Sequence, residues 1–112
     1  MSMSMKSAGI AAILIAGLSG SLLPAARGGD ADKGKSTFED NCAVCHNVAN
    51  DEKKMGPSLK GLFKRPTLKN GKKVTDANVL AVINAGGNGM PAYADMLNDD
   101  EKANVVSYLK TL

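Results

Sequence analysis

Apolar and polar positions along the chain fall into stretches of different character. The first, "AGIAAILIAGLSGSLL" from Ala8 to Leu23, is apolar or small at every position and is interrupted only by Gly and Ser. The second, "DADKGKSTFEDNCAVCH", opens on Asp30 or Asp32 as a candidate N-cap and contains no Pro, which predicts a helix over 31–45. Residues 47–74 are rich in Gly, Lys, Asn and Pro and read as loop, with one short helical turn around Ser58 to Phe63. "TDANVLAVINAGG" offers Thr75 as N-cap and places Val79, Val82 and Ile83 at helical spacing before a stop at Gly86. A second loop, "NGMPAYADM", follows. "NDDEKANVVSYLKTL" pairs Asn98 with Glu101 in a capping-box pattern and carries Val105, Val106 and Leu109 on one face. No stretch alternates with the period of a strand. The pattern predicts a small all-α domain of about three to four helices with two long loops.

The first stretch changes the picture of where the domain begins. Lys6 is the one positive charge ahead of the apolar run, and Pro24, Ala25 and Ala26 close it. Residues 1–26 thus read as a secretory signal peptide, cut between Ala25 and Gly29. The run is roughly 16 residues, short for a membrane span; retention as an N-terminal anchor is the competing reading. Export implies the periplasm, with the thylakoid lumen or a membrane-anchored form as alternatives, and no stable membrane insertion once the leader is removed. The remaining domain, 30–112, is small for a self-sufficient apolar core and has no Trp. Phe38, Phe63, Tyr93 and Tyr108 are its aromatics. A staple or a large buried cofactor is needed, and the chain without it is not expected to fold stably.

The formal charge of +3 overstates the mature domain, which from Gly28 onward has 12 basic and 11 acidic residues. That balance gives nucleic-acid binding no support. The charge is unevenly spread, however. Lys53 to Lys73 contains eight basic residues and no acidic one, while the acids collect in 30–52 and 95–101. A basic face of this kind fits docking of an acidic partner by steering, against the plainer reading of a solvated lysine-rich loop.

The chemistry is concentrated in "NCAVCH". Cys42 and Cys45 are the only cysteines, and His46 is the only histidine. A zinc site would need about four ligands. A thioredoxin-like dithiol would need a βαβ setting that the helical pattern does not offer. A disulfide across so few residues would stabilise little. Covalent haem uses all three residues: two thiols take the two vinyl groups, and the adjacent imidazole falls beneath the iron. With one His, the opposite axial position is left to a Met, a Lys, the N-terminal amine or nothing. Met55 is nine residues past His46, in the loop expected to wrap the His side, and Met96 reads as packing. Met90, in "GGNGMPAY", has glycines that let backbone lie close to a flat ring and Pro91 to stiffen it, which makes it the candidate ligand.

At these residues the chain resembles the class I cytochromes c, especially the small exported carriers of bacteria and algae. The resemblance runs from about residue 31 to 112 and rests on C-A-V-C-H at 42–46, G-P-S-L at 56–59, M-P-A-Y at 90–93 and the closing helix with Tyr108-Leu109. It implies one covalent haem c on Cys42 and Cys45, with His46 and Met90 as axial ligands. The carbonyl of Pro57 would accept the other imidazole N–H. Leu59 and Leu109 would line the haem, and Gly34 and Phe38 would cross the last helix near Val105 and Tyr108. The stretch "FKRPTLKNGKKVTDA" is shorter than in relatives with an added mid-chain helix, and the propionate partners are not identified; Arg65 and Lys69 are the candidates.

The implied function is a soluble mono-haem electron carrier, a monomer and not an enzyme, cycling Fe(II)/Fe(III) between exported or membrane-bound redox partners. Three readings compete with it: a haem subunit of a larger membrane or dehydrogenase complex, an open-site haem enzyme or sensor if Met90 does not ligate, and a haem-free thiol–disulfide oxidoreductase.

Overall fold

The computed structural model describes residues 29–112, and the proposed signal peptide lies outside the described residues. Three helices form: α1, Ala31–Asn41; α2, Asp76–Ala85; and α3, Asp99–Leu109. A three-residue 3-10 turn, Leu62–Lys64, lies between α1 and α2. Among the described residues the only bridge pairings are isolated, Thr67 with Lys73 and Gly87 with Met90. The all-α expectation holds.

Local sequence accounts for most helix ends. Asp30 caps α1, its Oδ1 accepting the amides of Asp32 (2.9 Å) and Lys33 (3.1 Å). Thr75 Oγ1 accepts from Asn78 N at 3.0 Å to start α2, which stops at Gly86 with φ 65°. At α3 the Asn98 side chain accepts from Glu101 N (2.8 Å) while the Glu101 carboxylate accepts from Asn98 N (2.9 Å), completing the capping box. The end of α1 departs from the expected 45. The amides of Cys42 and Ala43 both donate to Phe38 O, at 2.7 and 3.0 Å, and those of Cys45 and His46 both donate to Cys42 O. This sharing of carbonyls breaks the regular α-helical ladder, with one bond wider and one tighter than the α pattern, so the cysteines sit on a turn after Asn41 and not on the helix.

Packing begins where α1 crosses α3. A Cβ on Gly34 would lie 1.8 Å from Asn104 O, so no larger residue fits the crossing. Phe38 and Tyr108 meet with ring centroids 5.4 Å apart, and Phe38 and Val105 are each 2% exposed. Burying Phe38 alone is worth about 1.5–3 kcal/mol. Asp30 N also donates to Asn104 Oδ1 at 2.7 Å, fastening the start of α1 to α3. α2 adds Val79 and Ile83 to the same core, which Leu62, Tyr93, Leu97, Val106 and Leu109 complete. No helix among the described residues is long and apolar enough to cross a membrane.

Candidate haem site

The His side is built from short-range contacts. After α1 the chain turns at Cys42, and the loop 47–60 folds back on it. Asn47 O accepts from Leu59 N at 2.9 Å, and Gly56 N donates to Cys45 O at 2.8 Å. Ser58, 6% exposed, donates to Asn47 O and Asn50 O and accepts from Lys60 N. These bonds bring Pro57 to His46, whose Nδ1 donates to Pro57 O at 2.7 Å. That bond fixes the tautomer and leaves Nε2 as the free lone pair of the ring. A Cβ on Gly56 would fall 2.6 Å from His46 Cε1, so only glycine lets the loop press against the imidazole.

Cys42 and Cys45 are half-buried and unbridged. Burial, and then the neighbouring Cys45, pushes the Cys42 thiol up to about 11. A thiol–disulfide oxidoreductase needs the opposite, a thiolate at neutral pH. Among the described residues no group of three His, Cys, Asp or Glu side chains is placed to hold a metal.

The Met side is a glycine-rich loop. Gly87 N donates to Met90 O (2.9 Å) and Met90 N to Gly87 O (3.0 Å), closing a tight reversal. Its residues Gly86, Gly87, Asn88 and Gly89 all have positive φ, a run that side-chain-bearing residues rarely adopt. Met90 is half-buried and packs on the core. The other two methionines of the domain are exposed, Met55 by 81% and Met96 by 61%. The expectation that Met96 packs in the core is therefore overturned. Its amide closes a turn on Tyr93 O, and the next residue, Leu97, takes the buried place at 8% exposure.

The remaining expected residues are spread around these two sides. Leu59 is half-buried against the core, and Leu109 lies within it. Arg65 Nη2 donates to Ser58 O (3.0 Å) and Lys60 O (2.7 Å), which ties the guanidinium to the His-side loop. Arg65 and Lys69 share a shallow pocket of about 310 Å³ with Asp51, Lys53, Pro57 and Ser58. Every lysine between Lys53 and Lys73 is exposed.

The residues present fit a covalently held haem: two free thiols one turn apart, and an imidazole held by Nδ1 with Nε2 unused. Residues 29–109 match the family described as cytochrome C oxidase, cbb3-type, subunit III. Cytochrome c6 of Diacronema lutheri is 35% identical over 81 residues, covering 72% of this chain and 94% of the relative. A cytochrome c-553-like protein of Synechocystis is 36% identical over 84 residues, 75% of this chain and 70% of that protein. The solved structure of cytochrome c6 from the diatom Phaeodactylum tricornutum superposes with a TM-score of 0.60 at 29% identity, covering 74% of this chain and 93% of that one.

The chain is a small class I c-type cytochrome. It carries covalent haem c, as the cytochromes it matches do. Three features of this cytochrome were not anticipated from its sequence. Tyr93, 6% exposed, donates its hydroxyl to Asn41 O at 3.0 Å and its amide to Ile83 O at 2.9 Å, joining the Met loop to α1 and α2. Burial, followed by the Cys42 and Cys45 charges, raises its phenol above the ordinary value. The signal was the Tyr of M-P-A-Y, noted only as motif. Lys102 is 7% exposed despite its charge; its position three before Val105 on the apolar face of α3 was the available sign. Val44, between the cysteines, is 71% exposed, and Met55, which precedes the glycine bonded to Cys45 O, is 81% exposed. No periodicity marks either one, because both residues lie on turns.

Proposed function

We propose that this cytochrome is a diffusible one-electron carrier with His46 and Met90 as axial ligands, in the domain 30–112 released by removal of residues 1–26. Cys42 and Cys45 would hold the haem by thioether bonds. Each thiol adds across a vinyl group, sulfur to one carbon and the thiol hydrogen to the other, with no outside oxidant or reductant. The observation that carries the reading is the His46–Pro57 hydrogen bond of 2.7 Å, which orients the imidazole and leaves Nε2 for iron. The burial of Met90, with Met55 and Met96 in solvent, supports the second ligand. When bound, the haem supplies the Fe(II)/Fe(III) couple. As the second ligand, the Met90 thioether would favour the ferrous form and raise the potential, and with two protein ligands no position would remain for an external one. Leu59 and Leu109 keep apolar surface against the ring, and Arg65 and Lys69 are the propionate candidates. No nucleophile–base pair accompanies the single His, which argues against an enzyme.

The site of action would be the periplasm, or the thylakoid lumen in a photosynthetic cell, as a monomer. The exposed lysines of 53–73 would steer acidic redox partners, with Val44 and Met55 as the apolar contact beside the cysteines. The matched family's description, an oxidase subunit, favours one second reading: residence in a membrane complex.

The test is a visible spectrum of the exported holoprotein, oxidised and reduced, with a carbon monoxide challenge. The expected result is a c-type spectrum with the weak far-red band of Met-bound Fe(III), no CO binding, and loss of the band in Met90→Ala. Ready CO binding without the band would replace the carrier by an open-site enzyme or sensor. Co-purification with a membrane oxidase, with residues 1–26 retained, would establish the subunit reading.

A further inference from the structure

The Met loop is held to the rest of the molecule by three tethers, one to each helix. Tyr93 N reaches α2 at Ile83 O, and Tyr93 Oη reaches the end of α1 at Asn41 O. The third comes from α3, where Lys102 Nζ donates to Ala94 O at 2.8 Å. It is the only charged tether of the three. A lysine at 7% exposure loses most of its hydration, which is costly unless the ammonium is partnered. Among the described residues no carboxylate lies within ion-pair distance of it, since the one such pair is Lys110 with Asp76. Its partner is instead a loop carbonyl four residues past Met90.

We infer that Lys102 is a positioning residue for the haem's methionine ligand: its buried ammonium, bonded to Ala94 O, holds the Met90 loop closed on α3. The inference rests on Met90 being that ligand. The two ends of the segment differ. Met90 directly follows the positive-φ run Gly86–Gly89 and is only half-buried, whereas Leu97 is buried and leads into the α3 cap. Ala94 lies between them, so the bond to Lys102 limits how far the loop swings out from α3. A charge-assisted hydrogen bond of this kind shifts an opening equilibrium by about one to two powers of ten. Lys102 shares the buried face of α3 with Val105 and Val106, so Lys102→Met keeps an apolar stem on that face while removing the ammonium.

The experiment uses the ferric holoprotein and imidazole as the probe. Imidazole reaches iron only when Met90 leaves, so its apparent affinity reports the open fraction of the loop. Wild type, Lys102→Met and Lys102→Arg are compared by imidazole titration, and by urea titration read from both the far-red band and helical circular dichroism. The expected result is about tenfold tighter imidazole binding in Lys102→Met, with the band lost at lower urea than the helices, and Lys102→Arg within roughly twofold of wild type. An imidazole affinity unchanged in Lys102→Met, or band and helices lost together, would overturn the inference. If Lys102→Met yields no holoprotein, Lys102→Gln takes its place with the same two criteria and a smaller expected shift, because an amide still donates to Ala94 O. Wild type with no far-red band and with imidazole affinity equal to that of Met90→Ala overturns the Met90 reading itself, and the role of Lys102 falls with it.

Discussion

The two sides of the site are held in different ways. The His side is wired to itself: His46 to Pro57, Gly56 to Cys45, Leu59 and Ser58 to Asn47, all between residues about a dozen positions apart or fewer. The Met side is wired to everything else, through Tyr93 to α1 and α2 and through Lys102 to α3. A region closed by short-range bonds forms as a unit with low loop-closure entropy. A region hung on three separate helices is only as secure as their packing, and it is where local opening is expected first. An electron carrier gains from both. In the proposed role the imidazole would stay fixed through each change of charge, while the softer loop would present Met90 as the second ligand.

The largest test of this contrast compares a break on each side. Gly56→Val forces a side chain into His46, where a Cβ alone would be 2.6 Å from Cε1. It is expected to cost at least about 3 kcal/mol and to abolish accumulation of holoprotein, measured as haem-stained protein in the export fraction. Met90→Ala, by contrast, should leave a folded, haem-bearing protein without the far-red band and with a lower potential in voltammetry. Equal loss of holoprotein in both variants would erase the distinction between the sides.

Tyr93→Phe is the next effect in size. It removes the hydroxyl from Asn41 O and leaves that carbonyl half-buried without its partner, at a cost of about 1–2 kcal/mol. In urea titrations the far-red band should disappear before the Soret band shifts. If the two move together, the loop is not an independent unit. Thr75→Ala removes the cap of α2, which carries the Ile83 tether, and should cost about 1 kcal/mol of global stability with little separate effect on the band. The smallest effect is expected at the Lys110–Asp76 pair, 48% and 61% exposed. Asp76→Asn should change the unfolding free energy by less than about 0.5 kcal/mol, and less still at high salt. It touches neither side of the site and serves as the control for the others.

What could be read in the sequence follows from the range of each interaction. Thr75, Asn98 with Glu101, and Gly86 act within a few residues, so caps and stops were legible and the helices appeared where expected. C-A-V-C-H pointed to haem because covalent attachment needs fixed residue types at fixed spacing. The end of α1 was misjudged because the competition of two amides for Phe38 O depends on the turn that follows, not on propensity. Met96 was misjudged because an apolar residue beside a buried one looks the same in sequence whichever of the two faces inward.

By itself, then, the sequence determined the class of fold and the cofactor, because each depends on local spacing and on side chains with few substitutes. Only the tertiary structure decided which methionine is sheltered, that Tyr93 spans from the Met loop to the turn before the cysteines, and that Lys102 points its charge at a loop carbonyl. Those contacts join residues up to 52 positions apart. The longest of them, Tyr93 to Asn41, needs the Met loop packed against the end of α1, which no local pattern encodes.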